Sequence, residues 1–182
     1  MSLDVSQVKV SALFSLILRA TKKLSGKTKL QKIAYIIDKT GWNILKDYRY
    51  HYYGPYSDQI TLEIENFRSR GWLEEKFSAG GGITLYSYNL TKTGERIADY
   101  LATRVGNPKL VQRSIGIARD LAKFSTRELE LMATLVFLHD NYSLKDEQLV
   151  TTIKELKPYF NDDEINDGVR IFKMLASWRL KD

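Results

Sequence analysis

The chain has 182 residues, 43% of them hydrophobic and 12% aromatic, which is enough apolar material for a folded core and too much for a disordered chain. It has no cysteine, which removes disulfide and thiolate chemistry, and its longest nearly apolar stretch, Ala12 to Leu18, stops at Arg19, far short of the roughly 20 residues of a membrane span. The net charge of +6 lies wholly in residues 1–104, where 16 Lys and Arg stand against 10 Asp and Glu, while residues 105–182 balance at 12 each.

Asp4 precedes the apolar stretch and no small-residue cleavage site follows it, so no secretory signal fits and the expected location is the cytoplasm. The spacing of Val10, Leu13, Phe14, Ile17 and Leu18 predicts a first helix from about Asp4 to Leu24, ended by Ser25-Gly26. A second helix, about Thr28 to Thr40, places Leu30, Ile33, Ala34 and Ile37 on one face and Lys29, Lys32 and Lys39 on the opposite one. From Arg19 to Lys39 seven bases (Arg19, Lys22, Lys23, Lys27, Lys29, Lys32 and Lys39) face only Asp38, the electrostatic footprint of a polyanion binder.

Gly41 to Tyr56 forms a long connection whose end, YRYHYYGPY, holds five of the eleven tyrosines. There Tyr48, Tyr50 and Tyr52 alternate with Arg49, His51 and Tyr53, the period of a strand, and Gly54-Pro55 terminates it. Ser57 is the predicted N-cap of a third helix that turns Ile60, Ile64 and Phe67 inward. A strand from Trp72 to Phe77, a turn from Ser78 to Gly82 and a strand from Ile83 to Leu90 follow, and Thr91 then caps a helix to about Arg104.

Helix, hairpin, helix is the second half of a winged helix-turn-helix. The predicted fold class is therefore mainly α (α+β), with a winged helix-turn-helix domain over residues 1–105 and an all-helical domain over 106–182. Gly106-Asn107-Pro108 marks the boundary, and four helices follow it, at about Pro108 to Lys123, Thr126 to Asn141, Leu144 to Phe160 and Asp162 to Arg179. Ser125 with Glu128, and Asn161 with Glu164, have the spacing of capping boxes. The Thr126 helix is apolar nearly all round, as the centre of a bundle would be.

Three segments, KLQK (Lys29 to Lys32), YGPYS (Tyr53 to Ser57) and STRELELMAT (Ser125 to Thr134), resemble in the same order the YwgA-like family of bacterial and archaeal proteins, over about Lys27 to Trp178. That resemblance implies a winged-helix core with a helical C-terminal extension. KLQK and Tyr-Gly-Pro also resemble, more distantly, the Panacea domain of SocA-like antitoxins over about Lys29 to Leu90, which implies a protein-binding role; Tyr56-Ser57 and the added helical region depart from that domain.

The third helix of a DNA-binding winged helix enters the major groove, yet its outward face here carries Asp58, Leu62, Glu65, Asn66 and Ser69, a poor surface for phosphates. The tip of the wing has no base, and the Gly-rich run opens a strand rather than a helix, so it reads as a turn and not a phosphate cradle. The first expectation is a DNA-binding regulator whose phosphate contacts are Lys22, Lys23, Lys27, Lys29, Lys32 and Lys39, joined by Arg68, Arg70 and Lys76. The alternative is a protein-interaction module, antitoxin-like or adaptor-like, that meets its partner through Leu62, Tyr53 and Tyr56. No catalytic residue, metal or cofactor is expected, since His51 and His139 fall in different predicted domains and no cysteine accompanies them. A homodimer is expected through the neutral C-terminal region, whose last helix lines up Ile165, Val169, Phe172, Leu175 and Trp178.

Overall fold

Side-chain oxygens stand at the starts of the helices that the sequence marks. Ser57 accepts from the Ile60 N–H, Thr91 from Gly94 and Asn107 from Leu110. Ser125 and Glu128 bond reciprocally at 3.2 and 2.7 Å, and Asn161 and Glu164 do so at 2.9 Å each way.

The computed structural model describes residues 5–80 and 83–176. In chain order they form α1 (Val5–Thr21), β1 (Leu24–Ser25), α2 (Lys27–Ile37), β2 (Arg49–His51), β3 (Gly54–Tyr56), α3 (Asp58–Ser69), β4 (Leu73–Gly80), β5 (Ile83–Leu90), α4 (Lys92–Arg104), α5 (Pro108–Leu121), α6 (Thr126–Tyr142), α7 (Asp146–Leu156) and α8 (Asp162–Ala176). The fold is mainly α, with two small antiparallel sheets, in agreement with the expected class.

The larger sheet has the order β1-β5-β4, with Leu24 opposite Tyr88 and Leu73 opposite Leu90. β1 is too short to show any period, so the sequence reading passes over it. The β4–β5 hairpin runs further than expected: Ser78, Ala79 and Gly80 pair with Leu85, Thr84 and Ile83 instead of forming the turn. Gly81 and Gly82, also assigned to that turn, lie outside the described residues. Gly94 lets α4 close onto the hairpin, since a Cβ there would stand 1.9 Å from the Trp72 carbonyl oxygen.

The tyrosine-rich segment is a hairpin and not the single strand expected. Arg49 pairs with Tyr56 and His51 with Gly54, which leaves Tyr52 and Tyr53 in the turn. Gly54, at a φ of +82°, starts the returning strand, and a Cβ on it would meet the Thr134 hydroxyl of α6 at 2.9 Å.

α1 packs on α4 and α5, α2 on α6, and α6 on α8. One cluster of buried side chains takes Phe14, Leu30 and Ile33 from before Gly106 together with Leu121, Met132, Leu135 and Ile165 from after it. Ile165, Phe172 and Leu175 of α8 are buried in this cluster, so the apolar face assigned to dimerisation is largely covered within the chain. Trp178 and Arg179 lie outside the described residues. No helix among those described is long and apolar enough to cross a membrane.

Candidate functional site

The KLQK segment lies inside the molecule. Every residue of α2 from Leu30 to Ile37 is buried, because its apolar face meets the N-terminal core and its polar face is covered by the β2–β3 hairpin and by α5 and α6. The expectation that Lys29, Lys32 and Lys39 point outward is corrected accordingly. Lys32 is 2% exposed and donates to the Pro55 carbonyl at 2.6 Å. Lys29 donates to the carbonyls of Ala122 and Phe124, at 2.8 and 2.6 Å, and so supplies a cation to the C-terminal end of α5. Burial pushes its pKa below the usual lysine value, against the opposing pull of Glu128. Lys39 is half-buried, 3.8 Å from the Asp38 carboxylate and over the rings of Tyr35 and Tyr48.

Gln31, 1% exposed, completes the clamp. Its amide donates to the Ser57 carbonyl at 2.9 Å and its oxygen accepts from the Ser57 N–H at 3.0 Å, as a neighbouring strand would. KLQK and YGPYS are thus two sides of one joint.

Behind that joint lies a polar cluster that the sequence reading missed. Glu130, 5% exposed on α6, pairs with Lys157 at 2.8 Å and accepts from the Tyr159 hydroxyl. Lys157 also donates to the Tyr52 carbonyl and lies within 5.7 Å of the ring centres of Tyr50, Tyr52 and Tyr159. Desolvation lowers the Lys32 pKa to about 8; the Glu130 charge works against this and the Lys157 charge with it. The signal for this cluster is present in the STRELELMAT segment, where Glu130 and Thr134 stand one turn apart among Leu129, Leu131, Met132 and Ala133. Glu63 was missed as well: it is buried on α3, accepts from Gln7 at 2.6 Å, and burial raises its pKa.

The other candidate residues are scattered. Lys22 and Lys23 are exposed after α1, and Lys27 opens α2 with its ammonium 5.9 Å from the centre of the Tyr56 ring. Arg68 is held by Glu65 and by Glu75, Lys76 lies 3.5 Å from Glu74, and exposed Arg70 rests over the Trp72 ring. The predicted inward and outward faces of α3 agree with the structure: Ile60, Ile64 and Phe67 are buried and Leu62 is 59% exposed. Tyr53 is exposed, and the hydroxyl of half-buried Tyr56 lies 2.7 Å from that of Thr61.

A cavity of about 250 Å³ opens where KLQK meets the tyrosine hairpin, and Lys27, Lys32, His51, Tyr53 and Tyr56 are in its walls. On the neighbouring face Tyr86 lines a shallow hollow with Thr61, Glu65, Arg68 and Glu75, which joins the β4–β5 hairpin to α3. Phe77, opposite Tyr86 in the register, is 73% exposed. Among the described residues no group of three His, Asp or Glu side chains is placed to hold a metal ion.

No protein-family model matches the chain. It is similar to the uncharacterised protein YwgA of Bacillus subtilis (strain 168), with 32% identity over 141 residues that make up 78% of this chain and 81% of that relative. The match takes in most of a chain whose KLQK, YGPYS and STRELELMAT segments meet around one buried joint, and the protein belongs to the YwgA-like family.

Proposed function

We propose that the chain is a protein-interaction module, in which residues 5–104 act as a winged-helix unit and the face shared by α3 and the β4–β5 hairpin takes a protein partner. The observation that carries this reading is the composition of the exposed α3 face, where Asp58, Leu62 and Glu65 stand outward and Arg68 is already paired with Glu65 and Glu75. A phosphate backbone meets carboxylates there. A protein meets exposed Leu62, Phe77 and Tyr86 rimmed by charge, the composition of an interface core and its rim. The cations expected to hold DNA lend the opposite case little support, because Lys29 and Lys32 are engaged inside the fold. An antitoxin-like or adaptor role, as the Panacea likeness implies, is of this kind.

Fluorescence anisotropy with a labelled mixed-sequence duplex, at low salt, tests the reading directly. The expected result is no association of the folded protein. Affinity capture from native extract should in parallel retain a partner on the wild-type chain that Leu62→Glu with Phe77→Glu releases. Tight, steeply salt-dependent duplex binding that Lys22→Glu with Lys23→Glu abolishes would replace the proposal with the DNA-binding alternative.

A further inference from the structure

The Lys32 ammonium has three N–H donors, and the described residues offer it one hydrogen-bond acceptor, the Pro55 carbonyl. A side chain 2% exposed that keeps its charge with two donors unmet is costly to fold around. Lys32 does not face a closed interior, however. It lines the cavity of about 250 Å³ beside the β2–β3 hairpin, together with Lys27, Thr28, His51, Tyr53 and Tyr56.

The walls of this cavity have a single electrostatic character. Lys27, Lys32, Thr28, Tyr53, Tyr56 and His51 bring two cationic side chains, three hydroxyl-bearing ones and an imidazole to its lining, and no carboxylate residue is among the lining residues. It also lies at the start of α2, an 11-residue helix whose N-cap is Gly26, so the first turn has no side-chain cap for its N–H groups. The volume is below that of a typical drug-sized pocket, which restricts the occupant to a compact group. Two cations with surrounding hydroxyl donors match a dianion with several acceptor oxygens better than they match a single carboxylate.

We propose that this cavity binds the phosphate dianion of a small phosphate monoester, or inorganic phosphate itself, with Lys27 and Lys32 as its counter-charges. The proposal does not rest on the partner face on α3, although Lys27 also lines the hollow between α3 and the β4–β5 hairpin. The anion supplies the acceptors that Lys32 lacks, and it lies in the joint where KLQK and YGPYS meet.

Isothermal titration of the full chain with inorganic phosphate, with glycerol 3-phosphate and with sodium chloride at matched ionic strength tests it. At least one phosphate species should bind with a dissociation constant of about 1 mM or tighter, and chloride should not compete. Lys27→Ala should weaken binding at least about tenfold, a change of about 1.4 kcal/mol, and Lys23→Ala, on an exposed lysine outside the cavity, should leave it unchanged. Tighter binding of the ester identifies a phosphorylated small molecule as the ligand, and tighter binding of the inorganic ion identifies free phosphate. Lys32→Met should abolish binding if circular dichroism shows it folded; if it does not fold, the Lys27→Ala and Lys23→Ala pair decides. No binding of either phosphate species, or equal losses in those two variants, would overturn the proposal.

Discussion

Lys32 shows how far burial can shift the meaning of one side chain. Its ammonium is held near a pKa of about 8, against 10.5 for an ordinary lysine, chiefly by desolvation. Between those two values the unfolded chain binds more protons than the native one, so the Lys32 contribution makes stability rise with pH from about 8 to 10.5. The full effect is on the order of 3 kcal/mol by linkage. Urea melts across that range should show a rise in the wild type that is reduced in Lys32→Met, and parallel curves for the two proteins would place the cost elsewhere. Glu130 is the complementary case. Glu130→Gln keeps the shape but leaves Lys157 buried without its anion, and the expected loss is about 3 to 5 kcal/mol in the same assay.

At the scale of elements, α2 is tied to the start of α3 by Gln31. Its carboxamide satisfies both backbone groups of Ser57, and Ser57 in turn caps α3 and donates to Asp47 at 2.7 Å. Gln31→Leu would leave two buried backbone groups without partners, so a loss of about 2 kcal/mol or more is expected, together with faster amide exchange at Ser57 and in the first turn of α3. Unchanged exchange there would mean that water replaces the clamp without loss. The third helix was legible from sequence because its cap and its apolar spacing are local. The tyrosine hairpin was half legible: alternation announced a strand, but Gly54 read as a terminator since its close approach to Thr134 depends on α6, about 80 residues away.

For the whole molecule, the continuous core has a direct consequence. α5 and α6 cover α1 and α2, Lys29 takes its acceptors from the end of α5, and buried Tyr35 and Trp42 meet Phe137 of α6 and Ser114 of α5, so a chain ending at Arg104 would expose Tyr35 and Trp42 to water. Such a truncated chain is expected to aggregate or to lack cooperative unfolding, whereas the full chain is expected to scatter light as a monomer, because Ile165, Phe172 and Leu175 of α8 are buried within the chain. A full-length dimer with an independently folded residue 1–104 fragment would contradict that account.

The sequence by itself determined the helix starts, the α3 faces, the β4–β5 hairpin and the mainly α class. Each of these follows from side chains a few residues apart, through capping, periodicity and turn chemistry. Tertiary structure alone decided the role of the basic residues on α2. A helical period registers one buried face, and lysines opposite that face read as solvated when nothing nearby contradicts them. Here the covering elements come from far along the chain, with the acceptors of Lys29 93 and 95 residues away, so Lys29 and Lys32 turn inward and each ammonium donates to backbone carbonyls of the same chain.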